Sequence, residues 1–187
     1  MINDAEENKT KRNLMGPVLA ALFAAFISVA AFFHIPLPGG VPIVLQDMLS
    51  LLSGLLLGPL WGTLAVFVFL ILGAIGLPVY SGKAGIMILI SGPTGGFLIG
   101  YLLGAFFSGI FLRLVLYPGK SYKSLYKWGM CMLGGVLGEG MLFVSGIQGF
   151  IRVTDECFDY ALKVCVIPFI PGMIIKTTLN ILLAGLF

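Results

Sequence analysis

Ile167-Pro-Phe-Ile-Pro-Gly-Met-Ile-Ile-Lys176-Thr-Thr-Leu-Asn-Ile-Leu-Leu-Ala-Gly-Leu-Phe187 is long and apolar enough to cross a bilayer, and Lys176 is its only charge. A span needs about 20 mostly apolar residues. A lysine at the centre of one costs roughly 2.5–3.5 kcal/mol on insertion scales. The ammonium must therefore find a partner, a water-filled cavity or a ligand.

Composition places the whole chain in the same class. Of its 187 residues, 59% are hydrophobic and only 10% are charged, whereas a soluble domain carries about 25% charged residues. The 26 glycines fit membrane helices that pack closely through small residues. The reading is an all-α integral membrane protein, with a tail over residues 1–13 and one membrane domain over 14–187. Six spans are expected, at about 14–33, 42–57, 60–77, 94–116, 125–149 and 164–186. The Gly58-Pro59 break is the least marked, because no charged loop separates spans 2 and 3. These two also read as one hairpin with a tight turn. The first span does not read as a cleavable signal, since its apolar core is long and further spans follow.

Basic residues orient the chain. Lys9, Lys11, Arg12, Arg113, Lys120, Lys123 and Lys127 fall on one side, against Lys83, Arg152 and Lys163 on the other. Both termini are therefore expected on the cytoplasmic side of the cytoplasmic membrane. The acidic residues Asp155, Glu156 and Asp159 precede span 6 on the outer side. The net charge of +3 is explained by topology and indicates no nucleic-acid partner. Cys131, Cys157 and Cys165 lack metal-ligand spacing, and a Cys157–Cys165 disulfide stays open. There is no Walker A segment and no His-Glu-x-x-His. The chain thus reads as a non-enzyme with no cofactor and no metal. Its single histidine, His34, reads as an interfacial polar residue.

Asp47, Glu139 and Lys176 are the ionisable residues inside spans. Asp47 is expected about six residues into span 2, roughly 9 Å deep, and Lys176 about 7–8 Å into span 6. Pro171 suits that helix's first turn. Opposite charges at one depth make either a salt bridge locking two helices or part of a ligand site. Intramembrane charges favour the site. Gln46 is either a polar ligand contact or an interhelical hydrogen bond. Glu139, between Gly138 and Gly140, reads as a polar packing contact, with proton coupling as the alternative. The segment 78–92 is dense in turn formers yet contains the apolar run Ile86–Ile90. That combination suits a lid over the outer end of the bundle. Ala20, Ala21, Ala24 and Ala25 form a small-residue stripe, for internal packing or a partner subunit.

Several motifs then stand in a recognisable order. They are Pro42-Ile-Val-Leu-Gln46, Gly54…Leu57-Gly58-Pro59…Gly62, Gly76-Leu-Pro-Val-Tyr-Ser-Gly82, Gly92-Pro-Thr-Gly-Gly-Phe-Leu-Ile-Gly100 and Pro168-Phe-Ile-Pro-Gly172…Lys176. From about residue 17 to the end, the chain resembles the BioY family, the biotin-specific S components of energy-coupling-factor (ECF) transporters. The resemblance implies the six-helix S-component fold, with a capping loop between helices 3 and 4. It implies biotin bound near the outer face. A transmembrane coupling subunit and two ATPase subunits would act as partners, with Ala21 and Ala25 at the coupling contact. Lys176 matches the lysine of the family's last-helix motif. The candidate substrate-binding set is Lys176, Asp47, Gln46, Lys83, Ser81 and Gly82.

The chain departs from that pattern in three places. Met173 stands where the family has Asp, Asp47 follows the glutamine where the family is usually uncharged, and Lys83-Ala84 replaces a glycine and a polar residue of the lid. Asp47 is accordingly expected to supply from span 2 the carboxylate missing from span 6. Another small carboxylate such as lipoate, or a non-transport scaffold, remains as the alternative reading.

Overall fold

The computed structural model describes residues 2–37, 41–115 and 124–185. The topogenic residues Lys120 and Lys123, and the side chains of Lys9, Lys11, Arg12 and Lys127, lie outside the described part. Helix α1 (Ile2–Ala30) already runs through the segment read as a tail. A two-stranded antiparallel hairpin follows, β1 (His34–Ile35) with β2 (Ile43–Val44). Helix α2 spans Gln46–Ala74. Then come α3 (Ile86–Ser91), α4 (Gly95–Val115), α5 (Ser124–Thr154), α6 (Phe158–Cys165), a 3-10 turn (Ile167–Phe169) and α7 (Ile170–Gly185).

Helix α2 reverses on itself. Gly58 has φ +79° and is followed by Pro59, which lies inside the element. A positive φ costs an L-residue roughly 1–2 kcal/mol, and proline has no N–H to continue the ladder. The chain folds back there, because Gly62 comes to lie against the backbone of Ser53 and Gly54. Ser53 Oγ lies 3.2 Å from the Gly62 carbonyl. The hairpin reading of spans 2 and 3 thus holds, with limbs 46–57 and 59–74. Together with α1, α4, α5 and α7 this makes six passes. Among the described residues, Gln46–Ala74, Trp128–Thr154 and Phe158–Leu183 are helical stretches long and apolar enough to cross a membrane, and Leu14–Ala30 and Gly95–Phe111 are shorter apolar helices.

Several boundaries differ from the sequence reading. Residues 43 and 44 are used in the β2 ladder, so α2 starts at Gln46 and Asp47 lies in its first turn. Asp47 is therefore not six residues deep. Residues 164–169, read as the start of span 6, are instead the end of α6 and the 3-10 turn, and α6 itself reaches back to Phe158 in what was read as outer loop. Val166 and Pro168 interrupt the helix, and α7 begins at Ile170 with Pro171 in its first turn. Helix α5 continues past residue 149 to Thr154.

Glycines hold the centre together. Gly96, Gly100 and Gly104 of α4 recur every four residues and face α5, where they meet Gly149, Ser145 and Gly138. Gly54 of α2 faces Ala105 and Ser108 of α4 so closely that a Cβ would overlap the Ala105 carbonyl. With no water to expel between membrane helices, such close backbone approach is a main source of association. The aromatic and aliphatic core, including Phe69, Phe97, Tyr101 and Phe150, gathers toward the end bearing the β hairpin.

Gly54→Val should lower stability by more than about 2 kcal/mol, because overpacking forces α2 from α4. Gly58→Ala, where nothing lies within 4 Å of the added carbon, should act through backbone strain alone, about 1–3 kcal/mol at φ +79° and ψ 179°. Thermal unfolding in detergent distinguishes the two, and equal shifts would refute the packing account.

Candidate ligand-binding site

A cavity of about 200 Å³ opens at the hairpin end of the bundle. His34 and Val44 line it from the hairpin, Gln46 and Asp47 from the start of α2, and Tyr80, Ser81 and Lys83 from the loop after α2. Thr94 just ahead of α4, Phe97, Leu98 and Tyr101 from α4, Leu142 and Phe143 from α5, and Phe169 of the 3-10 turn complete most of the wall. Phe97 stacks on Phe169 with centroids 6.4 Å apart, and Phe143 meets both edge-on at 6.3 Å. Three rings thus form one flat and one edge-bearing wall, suited to a compact ring system.

The lid is a tight turn followed by the short helix α3. Tyr80 and Lys83 bridge across Ser81 (φ 50°) and Gly82 (φ 78°). Two successive positive φ angles define a turn for which glycine at one position relieves strain. The turn is anchored by Tyr80. Its hydroxyl donates to the Leu70 carbonyl, and its ring meets Phe69 edge-on at 5.8 Å. The ring fits because Gly73 beneath it has no side chain. Burial raises the Tyr80 phenol above its ordinary pKa, so this anchor keeps its proton. Within α3, Ile88 and Leu89 pack on the core, while Met87 and Ile90 are exposed. The apolar run thus caps the bundle as a lid, as its composition indicated.

Gln46 is 1% exposed. Its Nε2 donates to the carbonyls of Ile27 (3.2 Å) and Val79 (2.9 Å). Those two bonds tie α1, α2 and the lid loop together. They use both amide hydrogens, so the amide oxygen is the group Gln46 offers to the cavity. Gln46 thus bonds between elements and also lines the cavity.

Asp47 and Lys176 meet. The ammonium donates to Oδ1 at 3.0 Å and Oδ2 at 2.8 Å, and also to the Val44 carbonyl. The side chains are only 14% and 11% exposed. The Met48 N–H donates to Asp47 Oδ1 at 2.7 Å. Lysine has three donors, and all three are occupied. Lys176 stands behind Asp47, outside the cavity wall, while Asp47 faces in.

Two residues that the sequence reading passed over continue this polar seam. Thr177 Oγ1 donates to Glu139 Oε2 at 2.9 Å, and Asn180 Nδ2 donates to the Met48 carbonyl at 3.1 Å. Lys176, Thr177 and Asn180 share one side of α7 by their i, i+1, i+4 spacing. That polar spacing in an apolar helix was the available signal. Glu139 thus makes a hydrogen bond between α5 and α7. Tyr101, Phe97, Phe143 and Phe169 were also passed over, because aromatic residues of apolar helices look like ordinary core.

The remaining candidates sort by position. Ser81 and Lys83 line the cavity, and Gly82 forms the turn tip. Ala21 and Ala25 are exposed on α1, whereas Ala20 and Ala24 are buried. The stripe is thus split between an outward and an inward face. Cys131, Cys157 and Cys165 are free thiols, so the Cys157–Cys165 disulfide does not form here.

Six membrane passes around an aromatic cavity with buried polar groups, capped by a lid, define a small-molecule-binding membrane protein. The BioY family model matches residues 5–187. A biotin transporter BioY of Thermotoga maritima is 36% identical over 89% of this chain and 92% of that protein. Another biotin transporter BioY, of Rhodobacter capsulatus, is 38% identical over 89% of each. The crystal structure of an S-component for biotin from an ECF-type ABC transporter superposes with a TM-score of 0.80 at 30% identity, covering 94% of this chain and 91% of that one. The chain belongs to the BioY family.

Removing one partner of a buried ion pair typically costs 3–5 kcal/mol, whereas replacing both is far milder. Lys176→Met should therefore lower thermal stability more than the double variant Asp47→Leu/Lys176→Met. A double variant no more stable than Lys176→Met would show that the pair is not coupled.

Proposed function

We propose that this chain is the substrate-binding subunit of a biotin uptake system, an S component without catalysis of its own. Biotin chemistry matches the cavity. Its fused rings suit the Phe97–Phe143–Phe169 wall. Its ureido group has two N–H donors, and the buried wall offers the acceptors Gln46 and Asp47. Asp47 stands in for the acidic residue that the family carries at the position of Met173. It sets one carboxylate between the ligand and Lys176. That cavity-facing carboxylate, held by a fully occupied ammonium, is the observation that carries the reading. Lys176 acts as the positioning residue for Asp47, and Ser81, Gly82 and Lys83 close the lid over the ligand.

The cavity end faces outward in the cytoplasmic membrane, with both termini inside, in keeping with the distribution of basic residues. The exposed Ala21 and Ala25 form the face for the transmembrane coupling subunit, which with two ATPases supplies the energy. A flat, small-residue stripe admits another helix at short range.

Purified protein should bind labelled biotin. Asp47→Asn should weaken binding at least about tenfold, since a charge-assisted hydrogen bond is exchanged for a neutral one. Absence of binding by the parent, or equally tight binding by Asp47→Asn, would overturn the assignment. Lipoate, which lacks the ureido group, should not compete.

Ala25→Trp should leave biotin binding by the isolated subunit within about twofold while blocking its co-purification with the coupling subunit. Intact co-purification would remove the α1 face from the interface.

A further inference from the structure

The chain has a single imidazole, His34, and it lines the cavity from β1. Two contacts define its setting. Nδ1 lies 2.9 Å from the Ala31 carbonyl. A carbonyl only accepts, so Nδ1 carries a hydrogen and Nε2 is the nitrogen left for the cavity. Across from it, a Cβ on Gly82 would stand 3.9 Å from His34 Cε1. The open side of Gly82 at the lid tip therefore faces the ring. Lys83, the next residue of the lid, lines the same cavity. Both His34 and Lys83 are exposed, whereas Gln46, Asp47 and Tyr101 are buried. The first two mark the mouth and the last three the depth.

Charge decides which end of a carboxylate-bearing ligand goes where. Asp47 occupies the deep wall, and every donor of Lys176 is already used by Asp47 and Val44. A second carboxylate at that depth would meet like charge with no free cation among the described residues that line the cavity there. At the mouth it would meet Lys83 and His34. We propose, building on the reading of this cavity as a biotin site, that His34 acts there as an imidazolium. Together with Lys83 it clamps the ligand's tail carboxylate, so that ligand capture takes up a proton.

The chemistry sets the sign. Nε2 of neutral imidazole is an acceptor and offers nothing to a carboxylate, whereas the imidazolium donates a charge-assisted hydrogen bond. A neighbouring carboxylate favours the charged ring. The added affinity therefore belongs to the protonated ring and falls away as rising pH removes that proton. The other titratable groups facing the cavity are Asp47, Tyr80, Lys83 and Tyr101. Asp47 meets the buried part of any ligand with the same head group. Only a group at the tail separates a charged tail from a neutral one.

The test compares biotin with biotin amide, whose tail is neutral, on the full chain and on His34→Gln. Dissociation constants are measured from about pH 5.5 to about pH 8. The parent's Kd for biotin should rise about tenfold across that range, while its Kd for the amide stays level. In His34→Gln both should stay level. Calorimetry in two buffers of different ionisation enthalpy should show proton uptake with biotin alone. Parallel pH profiles for the two ligands in the parent, or an undiminished profile in His34→Gln, would overturn the clamp while leaving biotin binding intact. Failure of the parent to bind either ligand at any pH would overturn the biotin reading itself, and the clamp with it.

Discussion

A buried ammonium must be satisfied, and much of the hairpin end is arranged around that requirement. Lys176 reaches across from α7 to Asp47 at the start of α2 and to the Val44 carbonyl of β2. One side chain thereby ties three elements together. In a low-dielectric setting the pair contributes little net stability against an apolar replacement, yet each partner alone would be costly. Its main effect is to fix position. Helix α7 carries much of its apolar surface exposed, so the seam of Lys176, Thr177 and Asn180 sets its register on α2 and α5. The same bond holds the Asp47 carboxylate facing the cavity.

Rigidity around the cavity comes from a second source. Gln46 bonds to α1 and to the lid loop, and Tyr80 pins the lid turn to the end of α2. Glycines make both arrangements possible: Gly73 leaves room for the Tyr80 ring, and Gly54 and Gly62 let the α2 hairpin close. A lid held at its stem sets its tip beside the cavity wall. That placement suits capture of a small ligand.

Much of this was legible along the chain. The Gly58-Pro59 reversal, the lid around Ser81-Gly82 and the pairing of Asp47 with Lys176 each rest on a local signal: a turn dipeptide, a cluster of turn formers, two opposite charges among apolar residues. Other features had no such signal. Residues 43 and 44 look as apolar as the helix that follows, so their use in a strand pair was hidden. Helix α6 reads mostly as outer loop, because Asp159 and Lys163 interrupt its apolar residues and the apolar span begins only at about 164. The aromatic wall was hidden for a related reason, since Phe97, Phe143 and Phe169 come from three separate elements.

The sequence by itself determined the membrane class, the number of passes, the reversal and the need for a partner at Lys176. These follow from hydropathy, turn chemistry and the cost of an unpaired charge, which act locally or along one helix. Only the tertiary structure decided that Lys176 stands behind Asp47 rather than in the cavity wall, and that His34 and Lys83 share the mouth. It also decided that the alanine stripe of α1 divides into a buried and an exposed face. Each of these depends on which helix faces rotate toward one another. That rotation is set by close packing at glycines and by polar bonds between residues as far apart as Val44 and Lys176.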